Sequence, residues 1–527
     1  MEEKEPWKAK ISLLDKRIEG FLQGYRQNVV LIGDDGEEIS YLLENYLRLN
    51  KSKETVYVHA TTSYVSKMEF LKSTIFSLLS ELISEGDGLD DLNNKLNPEL
   101  SITTNFIRDI LKKDMFSFLD VLEIINKFIN ESGRKCVFIL EEFLGLEKLF
   151  PFCFKDFSSF IMLQKDCMLL LTSSSPKNAQ KTLSTELNLL FGNFEKVSLA
   201  ENTFADNYVY FKHCLEKVSA SSFFLSFFVN IIGSNIIYYD LIGKLAKENY
   251  CPDDEEKSII AILENALYAK ETYFFQKFIK KIEWLSEYSK DSYSLIKILT
   301  SLSDGYMRKK ELASLEICPL GDLGSKLIKL SDLNYIENLG NIYKIKDSLF
   351  SFWLTSVFKF YFSPPFLDPQ KRRPLWERKI REEIILHKDD FVKDGTKKIL
   401  ELISSFGDDT LKIGKSTYKL PLIEKTRIIS YPKRDFHLLV GEGKEIVFIG
   451  IKEKLSEDSD IFEFIEKGAG IKGRKVKKIF ISLDRLSPAA KLTAKNHKVI
   501  IWDVNEINKL MEVYNKSAIA LNPENLG

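Results

Sequence analysis

The chain has 527 residues, 44% apolar and 29% charged, a globular composition with room for three or four domains at about 150 residues each. Lysine plus arginine number 75 and aspartate plus glutamate 76, giving a net charge of −1. That balance excludes a chain-wide electrostatic grip on nucleic acid or acidic lipid and leaves only local basic faces. Residues 8–25 carry Ile11, Leu14, Ile18, Phe21 and Leu22 at helical spacing. The branched apolar run from Asn28 to Ile32 predicts a buried strand stopping at Gly33. After Gly36 the helical period returns with Ile39, Leu42, Leu43, Tyr46 and Leu47. Val56 to Val58 predicts a second strand, and 67–84 and 115–130 predict helices. Cys136 to Leu140 and Cys167 to Thr172 are all-apolar strands, and Val197 to Leu199 predicts a short last one. Apolar strands alternating with amphipathic helices indicate a parallel sheet covered on both faces. Ligands in such sheets sit beyond the carboxyl ends of the strands.

Residues 204–290 read as helical throughout. Three short helices (292–302, 308–315, 320–332) and a hairpin (335–337 with 342–345) then follow in the order of a winged helix. Pro364, Pro365, Pro369 and the run from Lys371 to Arg373 read as a linker. A second α/β unit begins near 375, with strands at 436–440, 445–451, 477–482 and 498–502. The expected division is an α/β core at 1–203, a helical lid at 204–290, a winged helix at 291–362, a linker at 363–378 and a smaller α/β domain at 379–527.

A phosphate loop reads G-x-x-x-x-G-K-[ST] between a strand and a helix: backbone N–H groups cradle phosphate, lysine neutralises it and the hydroxyl holds magnesium. Here Gly33 and Ser40 are in register, but Glu38 stands at the second glycine and Ile39 at the lysine. Asp34, Asp35, Glu37 and Glu38 surround the position with carboxylates. Like charges a few Å apart cost about 1 kcal/mol each even at high effective dielectric. The helix N-terminus favours anions, and these side chains can satisfy it themselves.

On these residues, 8–365 resembles the archaeal-type ATPases of the STAND branch of P-loop NTPases. Gly33 and Ser40 match the first phosphate motif. The run from Phe138 to Glu142 resembles the second, with Glu141 in place of the magnesium-binding aspartate and Glu142 at the position of the base. Thr172 to Ser175 resembles the polar sensor, and Phe191 to Glu195 the approach to the last strand. Gly233-Ser-Asn235 resembles the adenine contact of the lid, with asparagine replacing proline. Tyr343 to Asp347, followed by Phe350 and Trp353, resembles the end of the winged helix. The resemblance implies a nucleotide site at Gly33, Gly36, Ser40, Glu141, Ser173 and Asn235, magnesium on Ser40 and Glu141, and Glu142 as base. The four departures (Glu38, Ile39, Glu141, Asn235) imply that this site is vestigial, so that no cofactor is expected; ATP and magnesium are expected only if it still binds. The bland alternative for Glu141 and Glu142 is a strand-end carboxylate pair facing solvent.

Residues 380–515 resemble the PD-(D/E)xK nuclease fold, in which an aspartate on one strand and (D/E)-x-K on the next bind magnesium. Asp435 and Lys452 take the first-carboxylate and lysine positions, but Gly450 stands where the second carboxylate belongs. One carboxylate without its partner holds magnesium poorly. The competing reading of Asp435 and Lys452 is ordinary strand-end charges.

Arg308, Lys309, Lys310, Lys326, Lys329 and Lys344 are the winged-helix cations that could meet duplex DNA, with Lys346 beside them. Acidic Asp322, Asp332 and Glu337 share the region, so protein docking is the competing use. A second basic cluster comprises Lys472, Arg474, Lys475, Lys477 and Lys478. Most of the 38 phenylalanines and 21 tyrosines fall at core spacing, as in Phe223, Phe224, Phe227 and Phe228.

Six scattered cysteines without a CxxC pattern read as free thiols of a reducing cytoplasm, and five histidines form no HExxH motif. The start of the chain has no apolar secretory region, and no run is apolar enough to span a membrane. The expectation is therefore a cytoplasmic α/β protein with a P-loop NTPase-type core, a helical lid, a winged helix and a restriction-endonuclease-like domain. Three functions stay open: a non-hydrolysing regulatory or scaffolding protein with an unknown protein partner, a DNA-associated protein, or an ATPase borrowing a lysine such as Lys177 or Lys181.

Overall fold

The computed structural model describes residues 8–49, 55–79, 100–113, 115–187, 194–199, 202–288, 291–362, 368–413, 416–431, 436–443, 445–470 and 476–519. The chain divides into two compact units, Met1–Glu201 and Asn202–Gly527.

The first unit opens with α1 (Lys8–Leu22), β1 (Asn28–Ile32) and α2 (Gly36–Leu49). It continues through β2 (Thr55–Thr61), α3 (Lys67–Leu79), α4 (Ser101–Leu111), α5 (Phe118–Ser132) and β3 (Lys135–Glu141). It closes with α6 (Cys153–Leu163), β4 (Cys167–Ser173), α7 (Pro176–Thr185) and β5 (Phe194–Ser198). The strands form one sheet in the order β2-β3-β4-β1-β5, all parallel. Every residue of β1 and β4 is buried, as continuous apolar runs require when helices cover both faces. The chain leaves β1 for the far edge, returns through β3 and β4, and passes over β1 to β5. The carboxyl end of β1 therefore opens at a topological switch, with β4 on one side and β5 on the other. This is a P-loop NTPase-type α/β fold; the first four expected strands each fall within an observed one, and the last, expected at 197–199, is observed at Phe194–Ser198. The run from Phe191 to Asn193 lies outside the described residues.

The second unit begins with α8 (Phe204–Cys214), α9 (Ser222–Ile232), α10 (Ile236–Asn249), α11 (Glu255–Leu263) and α12 (Tyr273–Tyr288). Phe224, Phe227 and Phe228 lie in its core. Three helices follow, α13 (Ser292–Ser303), α14 (Lys309–Ser314) and α15 (Leu320–Asp332), then the antiparallel hairpin β6 (Ile336–Asn338) and β7 (Tyr343–Ile345). Residues 369–378, expected within a linker, are instead the first part of a 23-residue helix, α16 (Pro369–Phe391). Pro369 occupies the first helical turn, where a missing N–H costs nothing. Trp376, Ile380 and Ile384 recur every four residues and are buried against the helical core. The proline and basic composition concealed that stripe.

Next come α17 (Gly395–Ser404), the hairpin β8 (Asp409–Ile413) and β9 (Ser416–Leu420), and a five-stranded mixed sheet. Its strands are β10 (Ile423–Tyr431), β11 (Phe436–Gly443), β12 (Ile446–Lys452), β13 (Val476–Ser482) and β14 (Ile500–Asp503). They lie in chain order, and β11 alone runs against the rest. Helices α18 (Asp458–Ala469), α19 (Pro488–Asn496) and α20 (Val504–Val513) complete this part. Strand β10 was not expected: its residues Glu424 to Ile428 are exposed, so no buried alternation marks them. No helix among the described residues is long and apolar enough to cross a membrane.

Candidate functional site

The loop from Gly33 to Asp35 joins β1 to α2 at the switch point. Its geometry follows from the two residues that depart from a phosphate loop. Ile39 is buried, and a Cβ added at Gly33 would lie 3.2 Å from its Cγ1, so the side chain folds back over the loop. A lysine here would reach outward to a phosphate; the isoleucine instead joins the core. Asp35 accepts the N–H of Glu37 at 2.9 Å, meeting one of the exposed donors at the start of α2.

The carboxyl end of β3 supplies Glu141 and Glu142, and neither is a solvent-facing charge. Glu141 Oε2 accepts the Ser40 hydroxyl at 2.8 Å, and its Oε1 lies 2.8 Å from His59 Nε2. Burial pushes the Glu141 carboxyl up, but the bond and charge of His59 and the bond from Ser40 hold it below its ordinary value. The next residue turns the chain with a left-handed φ of 51°. That turn sends Glu142 towards β4, where Oε1 accepts the Ser174 N–H at 2.8 Å and the Glu142 N–H donates to Thr172 Oγ1 at 3.2 Å. A Cβ added at Gly36 would meet Glu142 Oε1 at 3.1 Å. The carboxyl therefore lies against the first residue of α2. Burial raises its pKa, Ser174 opposes this, and Glu141 and Asp35 add to the rise.

Ser173 is fully buried and positions the neighbouring loops: its carbonyl accepts the Gly33 N–H at 3.2 Å and its hydroxyl the Ser175 N–H at 3.1 Å. Five of the six expected nucleotide-site residues thus gather at one edge of the first unit. The sixth, Asn235, belongs to the second unit and caps α10, its side chain accepting the Tyr238 N–H. Gly233 has φ 76° there, and a Cβ would meet Ser348 Oγ at 2.7 Å, so only glycine fits. Lys177 and Lys181 are exposed on α7, and neither bonds to a residue of the loop site.

The residues present do not fit a nucleoside triphosphate. The start of α2 faces a carboxyl rather than an open anion cradle, and no lysine stands in the loop. Ser40 and one oxygen of Glu141 are bonded to each other, and the other oxygen is bonded to His59. Among the described residues no group of three or more histidine, cysteine or acidic side chains is placed to hold a metal ion. His59 escaped the sequence reading as a lone histidine. The only signal was its position two residues before the end of β2, the strand that pairs with β3.

In the second unit, Gly450 sits on the face of β12 that carries Phe448 and Lys452. A Cβ there would meet Phe464 Cδ2 at 2.7 Å and Phe480 Cδ2 at 3.1 Å. Phe464 stacks on Phe448 with centroids 4.7 Å apart and meets Phe480 edge-on. Aromatic packing fills the place where a second carboxylate was expected. Lys452 pairs with Asp460 at 3.0 Å. Asp435 lies outside the described residues, as do Lys472, Arg474 and Lys475 of the second basic cluster.

Three of the six expected DNA-facing cations pair with carboxylates of the chain itself. Arg308 grips Asp409 through Nε at 2.8 Å and Nη2 at 2.7 Å and also pairs with Glu311. Lys326 is buried on Asp291 at 2.9 Å, and Lys344 pairs with Glu512. Lys309 and Lys310 remain exposed, and Lys329 is half-buried. The turn of the hairpin is also covered: Lys412 N–H donates to the Leu339 carbonyl at 2.9 Å and Asn341 N–H to that of Thr410 at 3.3 Å, so β8 extends it.

No protein-family model and no curated protein matches the chain. Among solved structures it is similar to a Walker-type ATPase of Pyrococcus abyssi, at 15% identity and a TM-score of 0.44, over 66% of this chain and 95% of that one. It is also similar to the ORC2 protein of Aeropyrum pernix, at 10% identity and a TM-score of 0.44, over 72% and 95%. A third is the ORC1 protein of Aeropyrum pernix in complex with DNA, at 11% identity and a TM-score of 0.34, over 66% and 91%. At these values no residue role transfers. The fold assignment of the first unit stands on its own strand order.

Proposed function

We propose that this chain is a non-hydrolysing regulatory or scaffolding protein built on a degenerate AAA/STAND-like ATPase fold. The observation that carries the reading is the Glu142 carboxyl against Gly36, with Ile39 folded into the core. Together they put a negative group where a phosphate would sit and remove the cation that would neutralise it. The second unit supports the same reading. Its three helices and hairpin have the order of a winged helix, and the hairpin turn is docked on β8 within the chain. Its mixed sheet, with only the second strand reversed, supports a nuclease-like domain whose second acidic position is packed with phenylalanine. A duplex-DNA protein is the weaker reading, because Arg308, Lys326 and Lys344 spend their charge internally.

Calorimetry with ATP and ADP in magnesium tests the proposal on the wild-type chain and on a Glu38→Gly, Ile39→Lys double variant. The wild type is expected to give no binding heat, and the double variant to regain weak binding once a lysine and an open loop are restored. Micromolar binding by the wild type would sink the scaffold reading and call for turnover assays on Glu142→Gln.

A further inference from the structure

Strand β10 forms one edge of the mixed sheet and pairs with β11 alone. Among the described residues its backbone enters no other backbone hydrogen bond. A nine-residue edge therefore keeps a row of N–H and C=O groups available for another strand. Helix α17 runs beside it, and the two enclose an open groove of about 590 Å³ lined by Leu400, Glu401, Ser404, Thr426, Ile428 and Lys516. An unpaired strand facing a helix across a groove is the geometry in which an extended peptide adds to a sheet, its backbone giving affinity and alternate side chains specificity.

The register says what such a peptide would carry. Thr426 and Ile428 line the groove, and Lys425 and Arg427 alternate with them on the other face. Ile428 is 44% exposed and offers an apolar seat with Leu400. Lys516 stands at the groove, while the acidic Glu401 is engaged by Lys393 at 2.7 Å. Glu442 faces Lys425 across the sheet, and apolar Val440 faces Arg427. Two-fold antiparallel pairing with a second copy, if centred on residues 425 to 427, puts Lys425 or Arg427 opposite itself or opposite the other, and like charges in direct opposition are destabilising. A register centred on Ile428 avoids this, so the oligomeric state is part of the test.

The geometry points to the β10 edge and α17 as a docking groove for an extended acidic segment of a partner protein. That segment is added as a sixth strand, with acidic side chains towards Lys425 and Arg427 and small apolar ones towards Leu400 and Ile428. The groove belongs to the second unit and is independent of whether the first unit binds nucleotide.

The test uses the full chain and a fluorescent proline-free octapeptide alternating valine with glutamate, against the same peptide with lysine in place of glutamate. Binding is followed by anisotropy at low and moderate salt. The wild type is expected to prefer the acidic peptide by about tenfold, with the preference shrinking as salt rises. A Lys425→Glu, Arg427→Glu variant is expected to reverse the preference. These side chains are exposed, and a native circular-dichroism spectrum checks folding. A separate Lys516→Glu variant should weaken the acidic peptide several-fold. Hydrogen exchange should slow at 423–429 on binding. Equal affinity for both peptides, no binding at millimolar peptide, or a preference unmoved by the reversal overturns the proposal. A wild-type dimer in sedimentation that is lost in the reversed variant also overturns it and assigns the edge to a second copy.

Discussion

Asp409 has a fully buried side chain and takes five hydrogen bonds: two from Arg308, and one each from Tyr514 (2.7 Å), the Gly407 N–H (2.8 Å) and Asn341 (3.1 Å). Burial alone would raise its pKa, but Arg308, Tyr514 and Gly407 outweigh it and hold the carboxyl below the ordinary range. A depressed carboxyl contributes stability that is fully present above the unfolded value of about 4 and is lost as pH falls through the folded one. Asp409→Ala leaves Arg308 without its main partner and is expected to cost about 3–5 kcal/mol in urea denaturation of the full chain. Asp409→Asn should also flatten the loss of stability below about pH 4. An unchanged denaturation midpoint in Asp409→Ala would show that the bidentate pair is not formed. The sequence displayed the charge of Arg308 but not its partner, which lies 101 positions along the chain. At the loop the sequence went further: the missing lysine was legible from Ile39 alone. The destination of Ile39, and the left-handed turn that brings Glu142 to Gly36, depend on tertiary packing.

Strand β12 and helix α16 show what an element's surroundings decide. Placing an acidic side chain where the nuclease resemblance expects one, by Gly450→Glu, is expected to destabilise the domain and to give no nuclease activity. The new side chain meets Phe464 and Phe480, and overpacking with a buried charge costs about 3 kcal/mol or more. Denaturation and a plasmid-nicking assay check both halves. On α16, His387 is buried against Phe223 and Phe227, with centroids 5.6 and 5.4 Å away. Burial, with help from Lys398 and against Asp390, lowers its pKa to about 4. The unfolded imidazole binds its proton near pH 6.5, so between about 6.5 and 4 the unfolded state holds more protons and stability falls as pH falls. His387→Phe should remove that slope, on the order of 3 kcal/mol across the interval, while stability at pH 8 changes little. A slope unchanged in the variant would assign it to other groups. The periodic helices and all-apolar strands were readable because burial is written into their composition. Strand β10 and the first part of α16 were not, because one is an exposed edge and the other hides three core residues among prolines and basic side chains.

At the scale of the whole molecule, the division near residue 201 predicts two separately folding pieces. Fragments 1–201 and 202–527 are each expected to unfold cooperatively when expressed alone, as followed by calorimetry and circular dichroism. Cutting instead at 362 should leave the helical core of the second unit without Trp376, Ile380 and Ile384 and lower its stability by several kcal/mol. A 202–362 fragment as stable as 202–527 would contradict this dependence.

The sequence by itself determined the alternation of strands and helices, the α/β class of the first unit and the identities at the positions the resemblances single out, Glu38, Ile39 and Gly450. These are local properties, carried by hydrophobic period and residue identity. Only the tertiary structure decided where charge goes. It sent Glu142 to the start of α2, Arg308 to Asp409 and phenylalanine rings over Gly450, because ion pairing and close packing join residues that the chain keeps far apart.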